Sequence, residues 1–172
     1  RAVADTTDLP VMLYDIPART GIPFTVETLI ALADHPRILA VKDAKGDQWA
    51  ATQVMAQTDL LWYSGADEDN LALLALGATG VVSVVGHVAG AAYAAMVSAM
   101  ERGAVEEARR LHRDLVPLVA ALMQTSQGAI MAKAALVELG VIDSATVRLP
   151  LLESPPEHLT VLRAAMFPTV SA

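Results

Sequence analysis

Residues 38–47 read ILAVKDAKGD, an apolar run that ends abruptly at Lys42. Four consecutive apolar residues without polar alternation predict a strand that is covered on both faces, as in a parallel sheet. A lysine at the end of such a strand loses hydration of its charge, which is costly unless the amine is paired or neutral. The stretch therefore predicts a buried parallel strand with an unusual amine at its carboxyl end.

Three further runs share this lack of alternation: PVMLYD (10–15), LLWYSG (60–65) and GVVSVV (80–85). Helical patterns separate the four runs, over residues 25–36, 47–58 and 67–77. Thr25 and Asp47 stand where N-caps are expected, and Gly77 stands where the third helix ends. This order predicts an α/β fold of four strand–helix units, which is either half of a (β/α)8 barrel or a small open sheet. Only helices are predicted after Gly86, over about 88–101, 104–123, 127–139 and 155–166.

The composition excludes several classes of protein. The 172 residues are 54% hydrophobic, which indicates many buried elements rather than disorder. The net charge of −7 and the lack of a basic patch argue against nucleic-acid binding. The absence of Cys excludes disulfides and thiolate metal sites and fits a cytoplasmic protein. The chain opens RAVADTTD, without Met or an apolar leader, so we expect a truncated or processed piece without a signal peptide.

Residues 70–100 contain no Asp, Glu, Lys or Arg, and this run is longer than the roughly 20 residues that cross a bilayer. However, GATG (77–80) interrupts it, and Ser83, Gly86 and His87 interrupt it again. The run is therefore predicted to be a helix, a buried strand and a second helix of a soluble domain.

The carboxyl ends of the predicted strands are the expected place for chemistry, because active residues of parallel α/β folds lie there. Tyr14, Lys42, Ser64 and Ser83 stand at or near these ends. Lys42 has two interpretations: it snorkels to solvent and caps nearby carbonyls, or it forms a Schiff base with a ketone. The second requires a neutral amine, and an apolar approach such as ILAV supplies the desolvation that favours one.

Tyr14 and Arg19 extend the second interpretation. One strand–helix unit separates Tyr14 from Lys42, so both are expected on neighbouring strands, where a phenol can move protons to and from an imine. Taken alone, Tyr14 is more often a half-buried core residue. Arg19 lies in a stiff turn between Pro17 and Gly21, and it is either an exposed loop charge or a clamp on a substrate carboxylate. An amine, a phenol and a guanidinium at one edge suit a keto acid.

Other residues give weaker signals. Lys45 is expected to reach solvent from a loop, and Asp43 and Asp47 are expected to be loop and N-cap groups. His87 has no partner at metal-ligand spacing, and Ser83 lacks a G-x-S-x-G context, so both are expected to be structural. No glycine-rich phosphate motif follows any strand, which leaves nucleotide binding unsupported.

Three segments together resemble one known family. YDIPARTG (14–21) resembles the Y-N-x-P-x-R-T-G signature of the dihydrodipicolinate synthase / N-acetylneuraminate lyase family. LAVKDAKGD (39–47) resembles the strand of that family that carries the Schiff-base lysine. YSGADEDNLALLALGATGVVSV (63–84) resembles the next two strands, and its GATGVVSV favours the synthase branch. The resemblance extends over almost the full chain.

The resemblance implies a fold and an activity. The fold would be the second half of a TIM (β/α)8 barrel, strands five to eight, over residues 1–100, followed by a helical region over 101–172. Lys42 would form an imine with pyruvate, Tyr14 would relay protons, Arg19 would bind the carboxylate of the second substrate, and the backbone carbonyl of Val82 would face the lysine. The enzyme would condense pyruvate with aspartate semialdehyde to 4-hydroxy-tetrahydrodipicolinate, in lysine and diaminopimelate biosynthesis. It would need no metal or organic cofactor, and it would be a cytoplasmic homotetramer without nucleic-acid or membrane partners.

The chain departs from the family pattern at several places. Asp15 stands where Asn is common, and KDAKGD (42–47) replaces the usual K-E-x-[ST]-G. QGAIMAK (127–133) keeps only Lys133 of the N-P-x-P-x-K segment found in many relatives. These departures weaken the assignment of the second substrate more than they weaken the imine chemistry.

A complete barrel needs about 250 residues, so we expect this chain to begin just before strand five. The threonines that bind the pyruvate carboxylate, a tyrosine from the neighbouring subunit and most of the lysine feedback site would then lie in the other half. Four strands alone would leave two sheet edges and apolar surface exposed, so the chain by itself is expected to be inactive and poorly soluble. The alternatives are a sibling aldolase acting on N-acetylneuraminate or 2-keto-3-deoxy sugar acids, and a half-barrel that serves only binding or assembly.

Overall fold

Residues 1–167 are described by the structure, a computed structural model. The strands are β1 (Val11–Asp15), β2 (Ile38–Asp43), β3 (Leu61–Ser64) and β4 (Gly80–Val81). The helices are α1 (Ala2–Asp5), α2 (Pro17–Thr20), α3 (Val26–Ala33), α4 (Gln48–Met55), α5 (Asn70–Ala75), α6 (Gly86–Glu101), α7 (Val105–Met123), α8 (Gly128–Glu138) and α9 (Pro156–Met166). The chain divides into two compact units, Arg1–Val82 and a second that begins at Ser83.

The four strands of the first unit form one parallel sheet in the order β1-β2-β3-β4. Spatial order therefore follows chain order, as in a (β/α)8 barrel, whereas a doubly wound sheet reverses its order at a switch point. The sheet resolves the choice left open by the sequence in favour of half of a barrel.

Two helices of this unit, α3 and α4, begin at the predicted caps. The hydroxyl of Thr25 accepts the backbone N–H of Thr28 at 3.2 Å and begins α3. The carboxylate of Asp47 accepts the backbone N–H of Ala50 at 2.9 Å and begins α4. Gly77 adopts φ of 110° after α5, a conformation that other residues rarely adopt. The short polar side chains of Thr25 and Asp47 thus satisfy backbone donors that a helix leaves free at its first turn.

The two faces of the sheet differ in burial. One face packs against the helices around Leu29, Val41, Val54, Trp62 and Leu73, all of which are buried. The opposite face leaves Met12, Tyr14 and Leu61 substantially exposed. The prediction that the strands are covered on both faces is therefore wrong for this chain, because its four strands bring helices to one face only. The apolar surface that the half-barrel interpretation expects is present.

β4 is shorter than the predicted strand over 80–85. The backbone N–H of Val82 still donates to the carbonyl of Ser64 at 2.7 Å, and β3 ends at this same residue. Beyond it, the hydroxyl of Ser83 accepts the backbone N–H of Gly86 at 2.7 Å, where α6 begins. The apolar residues 82–85 thus lead into α6 and do not extend β4.

The uncharged run 70–100 contains a helix, a strand and a helix, as predicted, namely α5, β4 and α6. Among residues 1–167, no single helix has both the length and the apolar composition for a membrane span. Only α7 and α8 taken together meet that criterion, and they are bent by 112° relative to each other.

The second unit consists of α6 to α9 around a core that includes Met96, Leu122, Met131 and Leu162. Arg163 of α9 donates to both carboxylate oxygens of Glu138 at the end of α8, at 2.7 and 2.9 Å. This hydrogen-bonded pair lowers the pKa of Glu138 below its ordinary value.

Candidate active site

Tyr14 and Lys42 lie side by side at the carboxyl ends of β1 and β2. The parallel register pairs them directly, and the Nζ atom of Lys42 lies 4.0 Å from the centroid of the Tyr14 ring. At that distance an ammonium group and an aromatic ring attract each other by about 0.5–2 kcal/mol, depending on how far water is excluded. The predicted pair of an amine and a phenol on neighbouring strands is therefore present, with the amine over the ring face.

Tyr63 borders Lys42 on the other side, because the register of β2 with β3 pairs these two residues. The ring of Tyr63 extends over Gly80 of β4: a Cβ at Gly80 would lie 3.3 and 3.4 Å from its Cε1 and Cδ1 atoms. Lys42 thus stands between two phenols on adjacent strands. Tyr63 is not predicted from the sequence, although its place one residue before the end of a strand was an available signal.

Gly65 leaves the space through which the Lys42 side chain passes. A Cβ built on Gly65 would lie 2.7 Å from Cγ and 2.8 Å from Cε of Lys42, and 3.1 Å from the carbonyl oxygen of Asp43. Real Cβ atoms essentially never approach so closely, and Cγ belongs to the inner part of the side chain. The absence of a side chain at Gly65 therefore leaves the room that the Lys42 side chain occupies, and this role is not predicted from the sequence.

Arg19 lies in the predicted turn. α2 begins at Pro17 and is followed by Gly21, with φ of 83°, so the turn has the stiffness that its ends indicate. The Arg19 residue is exposed, and no hydrogen bond or ion pair joins it to Tyr14 or Lys42. Its role as a carboxylate clamp remains a prediction, since an exposed guanidinium is equally able to act as a plain surface charge.

Val82 follows β4, and its backbone N–H bonds to the last residue of β3. This hydrogen bond secures the chain at the end of the strand. The orientation of the Val82 carbonyl toward Lys42 stays a prediction.

Lys45 is largely but not fully buried, and the prediction that it reaches solvent is wrong. Only 10% of its side chain is exposed, and its Nζ lies 3.5 Å from Oδ2 of Asp15, whose side chain is 3% exposed. The same Nζ donates to the carbonyl of Phe24 at 3.3 Å. The loop position of Lys45 suggested solvent, but a buried carboxylate at Asp15 holds the ammonium group against the end of β1.

Asp43 is also buried, and it belongs to β2 rather than to a loop. Its carboxylate accepts the backbone N–H of Lys45 at 2.9 Å and the indole N–H of Trp62 at 3.2 Å. Burial raises the pKa of Asp43 above its ordinary value, and the nearby charge of Asp15 adds to the rise. The two hydrogen bonds and the charge of Lys45 oppose it.

The weaker candidates have structural surroundings or lie on the surface. The buried hydroxyl of Ser64 donates to the carbonyl of Ala66 at 3.0 Å, and that of Ser83 begins α6, as described above. His87 is exposed. Within residues 1–167, no three His, Asp or Glu side chains come together as metal ligands.

Comparison with known proteins places these features in one family. A family model described as the dihydrodipicolinate synthetase family matches residues 1–167. A 4-hydroxy-tetrahydrodipicolinate synthase from Kineococcus radiotolerans is 54% identical over 162 residues, which are 94% of this chain and 53% of that protein. A synthase of the same name from Acidothermus cellulolyticus is 51% identical, over 96% of this chain and 53% of that protein. The chain thus spans about half the length of the curated relatives that it matches.

Solved structures of high similarity agree on the fold. A dihydrodipicolinate synthase from Cyanidioschyzon merolae with lysine bound is 42% identical, with a TM-score of 0.91 over 96% of this chain and 57% of that chain. A dihydrodipicolinate synthase from Bacillus anthracis is 36% identical, with a TM-score of 0.90 over 96% of this chain and 56% of that one. The expected fold class, half of a TIM barrel followed by helices, is confirmed.

The Gly65→Ala variant is expected to displace the Lys42 amine, because the added methyl group would overlap the middle of the Lys42 side chain. A crystal structure of the variant should show Nζ moved from its place over the Tyr14 ring. Gly90→Ala is the control, since a Cβ at Gly90 meets nothing within 4 Å. An unmoved Nζ in Gly65→Ala would show that the neighbouring backbone yields instead.

Proposed function

The chain belongs to the dihydrodipicolinate synthetase family, and we propose that Lys42 is the amine with which it binds pyruvate as an imine. The observation that carries this proposal is the place of Lys42 Nζ, 4.0 Å from the Tyr14 ring centroid at the end of a parallel strand. The strand end puts the amine where barrel enzymes hold their reacting groups. The neighbouring phenol supplies a group that exchanges protons at that point.

The other two lysines are less suited to this role. Lys45 is paired with Asp15, and its amine would have to leave a buried carboxylate before it attacked a carbonyl. Lys133 lies in the second unit, where its amine bonds to the carbonyl of Thr146. The Lys42 amine contacts the Tyr14 ring and lies beside two phenols, so within the described part of the chain neither an ion pair nor a hydrogen bond like those of the other two lysines has to be broken before it reacts.

The proposed reaction begins with attack of the neutral Lys42 amine on the ketone carbon of pyruvate. Loss of water gives an iminium ion, and loss of a proton from the adjacent methyl carbon gives an enamine. The enamine carbon then forms the new bond to the aldehyde carbon of aspartate semialdehyde. The amino group that came with aspartate semialdehyde then attacks the iminium carbon, which closes the ring of 4-hydroxy-tetrahydrodipicolinate and expels Lys42 as the free amine. The iminium itself draws electrons from the reacting carbon, so the proposed chemistry needs neither a metal nor an organic cofactor.

Three further residues have proposed roles around this amine. Tyr14 moves protons between the carbinolamine, the iminium and the substrates. Arg19, on its stiff exposed turn, binds the carboxylate of the second substrate through paired hydrogen bonds. The carbonyl of Val82 faces the imine from the end of β4. The family's activity in lysine and diaminopimelate biosynthesis, its homotetramer and a cytoplasmic location belong to the same proposal.

The second candidate is a sibling reaction that uses the same imine, with N-acetylneuraminate or a 2-keto-3-deoxy sugar acid as substrate. The observation that favours this second candidate is Asp15, which follows Tyr14 and stands where Asn is common. Its side chain borders the loop that carries Arg19, where the second substrate would bind. Substrate competition assays separate the two reactions. A half-barrel that only binds or assembles would leave Lys42 without covalent chemistry.

Borohydride reduction in the presence of pyruvate tests the imine directly. The host is a complete barrel, made by joining this chain to the unmatched part of the Kineococcus radiotolerans relative. Peptide mass mapping is expected to find the reduced pyruvyl adduct on Lys42. Lys42→Ala should remove the adduct, while Lys133→Ala should retain it. An adduct on any lysine other than Lys42 would overturn the assignment.

Tyr14→Phe separates the phenol's proton relay from the ring's contact with the amine. The variant keeps the aromatic face under Nζ and loses only the hydroxyl, so the pyruvate adduct should still form. Condensation should slow by about 10²–10⁴-fold, the range in which proton transfer by a positioned side chain contributes. Steady-state kinetics measures the rate, and a variant as fast as the parent would remove Tyr14 from the proposed chemistry.

The chain without the other half of a barrel is expected to be inactive and poorly soluble. Its sheet exposes Met12 and Leu61 on the face that carries Tyr14, and this exposed apolar surface favours aggregation. The other half of the barrel would cover this face and supply the rest of the substrate pocket. Condensation rates of this chain alone and of the complete barrel provide the comparison. A clear steady-state rate from the chain alone would contradict the expectation.

A further inference from the structure

We propose that Lys45 is a positioning residue, which holds the ends of β1 and β2 together from behind and so keeps Tyr14 in line with Lys42. This role rests on the proposed function, since it concerns the alignment of the two residues assigned to the imine chemistry. Lys45 acts through Asp15 and Asp43 and touches neither Tyr14 nor the Lys42 amine in the contacts described above.

The register of the two strands places the carboxylates next to each other. Tyr14 pairs with Lys42, and the following residues, Asp15 and Asp43, pair with each other. Successive side chains of a strand point to opposite faces. The reactive pair therefore lies on one face of the sheet, and the two carboxylates lie on the other, directly behind it.

Both carboxylates are buried, with Asp15 3% and Asp43 2% exposed. Like charges directly opposite each other on neighbouring strands are destabilising, and burial makes each charge more costly. A cation beside one of the two carboxylates reduces this conflict. The side chain of Lys45 provides it, at 3.5 Å from Asp15, while the backbone N–H of the same residue bonds to Asp43 at 2.9 Å.

The same contacts hold two loops. The carboxylate of Asp15 accepts the backbone N–H of Phe24 at 3.2 Å, and the Lys45 amine donates to the Phe24 carbonyl at 3.3 Å. Phe24 ends the loop that carries Arg19 and precedes α3. In addition, the backbone N–H of Ala44 donates to the Asp15 carbonyl at 2.9 Å. One buried ion pair thus joins the end of β1, the turn after β2 and the loop that carries the proposed carboxylate clamp.

The charged and titratable groups that face this cluster come from three directions. Asp15 belongs to β1, Asp43 to β2, and Lys45 to the turn that follows it, while Trp62 of β3 donates its indole N–H to Asp43. Asp15 raises the pKa of Asp43 and Lys45 lowers it. Lys42 is next to Asp43 in sequence but points to the other face.

Loss of the Lys45 charge has a definite direction in pH. Without the cation, the Lys45 charge would no longer lower the pKa of Asp43 while the Asp15 charge would still raise it, so the folded-state pKa of Asp43 would rise further above its ordinary value. The native alignment would then be present at low pH and would be lost as pH rises through the folded-state pKa. Repulsion between Asp15 and Asp43 would separate the strand ends and, with them, Tyr14 from Lys42.

The decisive variants are Lys45→Met, which keeps most of the stem and removes the charge, and Asp15→Asn with Lys45→Met, which removes both charges of the ion pair. Asn keeps an oxygen that accepts the Phe24 N–H. The host is the complete barrel, and the readout is the rate of pyruvate trapping on Lys42 between pH 5.5 and 8.5. Relative to the parent, Lys45→Met should lose at least about tenfold more rate at pH 8.5 than at pH 5.5, which corresponds to one pKa unit. The double variant should recover to within about threefold of the parent and follow its pH profile.

Trp62 fluorescence gives an independent reading of the carboxylate pair. Trp49 is 71% exposed and is the only other tryptophan, so Trp49→Phe leaves Trp62 as the sole emitter. In this background the Trp62 fluorescence should change as Asp43 takes up a proton. The midpoint of this change should move to higher pH in Lys45→Met and move back to the parent's value in the double variant. Lys133→Met is the matched control, because it removes a lysine charge in the second unit, and it should leave both profiles unchanged.

Each outcome decides the proposal. A parent barrel that forms no pyruvate adduct would overturn the proposed function and this role with it. A parent that forms the adduct, together with Lys45→Met that follows the parent's pH profile, would overturn the positioning role alone. Should Lys45→Met fail to fold above neutral pH, the double variant still decides: restored trapping supports the role, and trapping that falls steeply with pH overturns it.

Discussion

The parallel register of β1 against β2 is the constraint on which the chemistry of the strand ends depends. It sets Tyr14 beside Lys42 and Asp15 beside Asp43. Because side chains alternate between faces, a slip of one residue would bring Tyr14 next to a carboxylate of the opposite face. The register therefore places the two residues proposed to react on one face of the sheet and the two buried carboxylates on the other. Each strand contributes two consecutive residues, one to each face: Tyr14 and Asp15 from β1, and Lys42 and Asp43 from β2.

Two lysines only three positions apart have different surroundings because of this alternation. Lys42 ends its side chain over an aromatic ring on the partly exposed face. Lys45, past the end of the strand, turns back toward Asp15 on the covered side, and only 10% of its side chain is exposed. A carboxylate partner stabilises a lysine in its charged form, and this is why Lys42 rather than Lys45 is the residue proposed to react.

Two glycines, one just after β3 and one at the start of β4, leave space around Lys42 because they lack side chains. Gly65 leaves room for the stem of Lys42, and Gly80 lets the ring of Tyr63 lie across the end of the sheet. Helix packing on the other face, around Val41 and Trp62, holds these strands in place. Stability is thus concentrated on the face opposite the one proposed to react.

Much of this protein follows from its sequence by itself. Continuous apolar runs and local caps such as Thr25 and Asp47 determine the strands and helices, because these signals depend on neighbours along the chain. The motifs around Tyr14 and Lys42 indicate the family for the same reason. Contacts between distant residues were decided only by the tertiary structure: the burial of Lys45 against Asp15, the approach of Gly65 to Lys42, and the early end of β4. Each depends on which side chain faces which across the sheet, and a linear pattern does not contain that information.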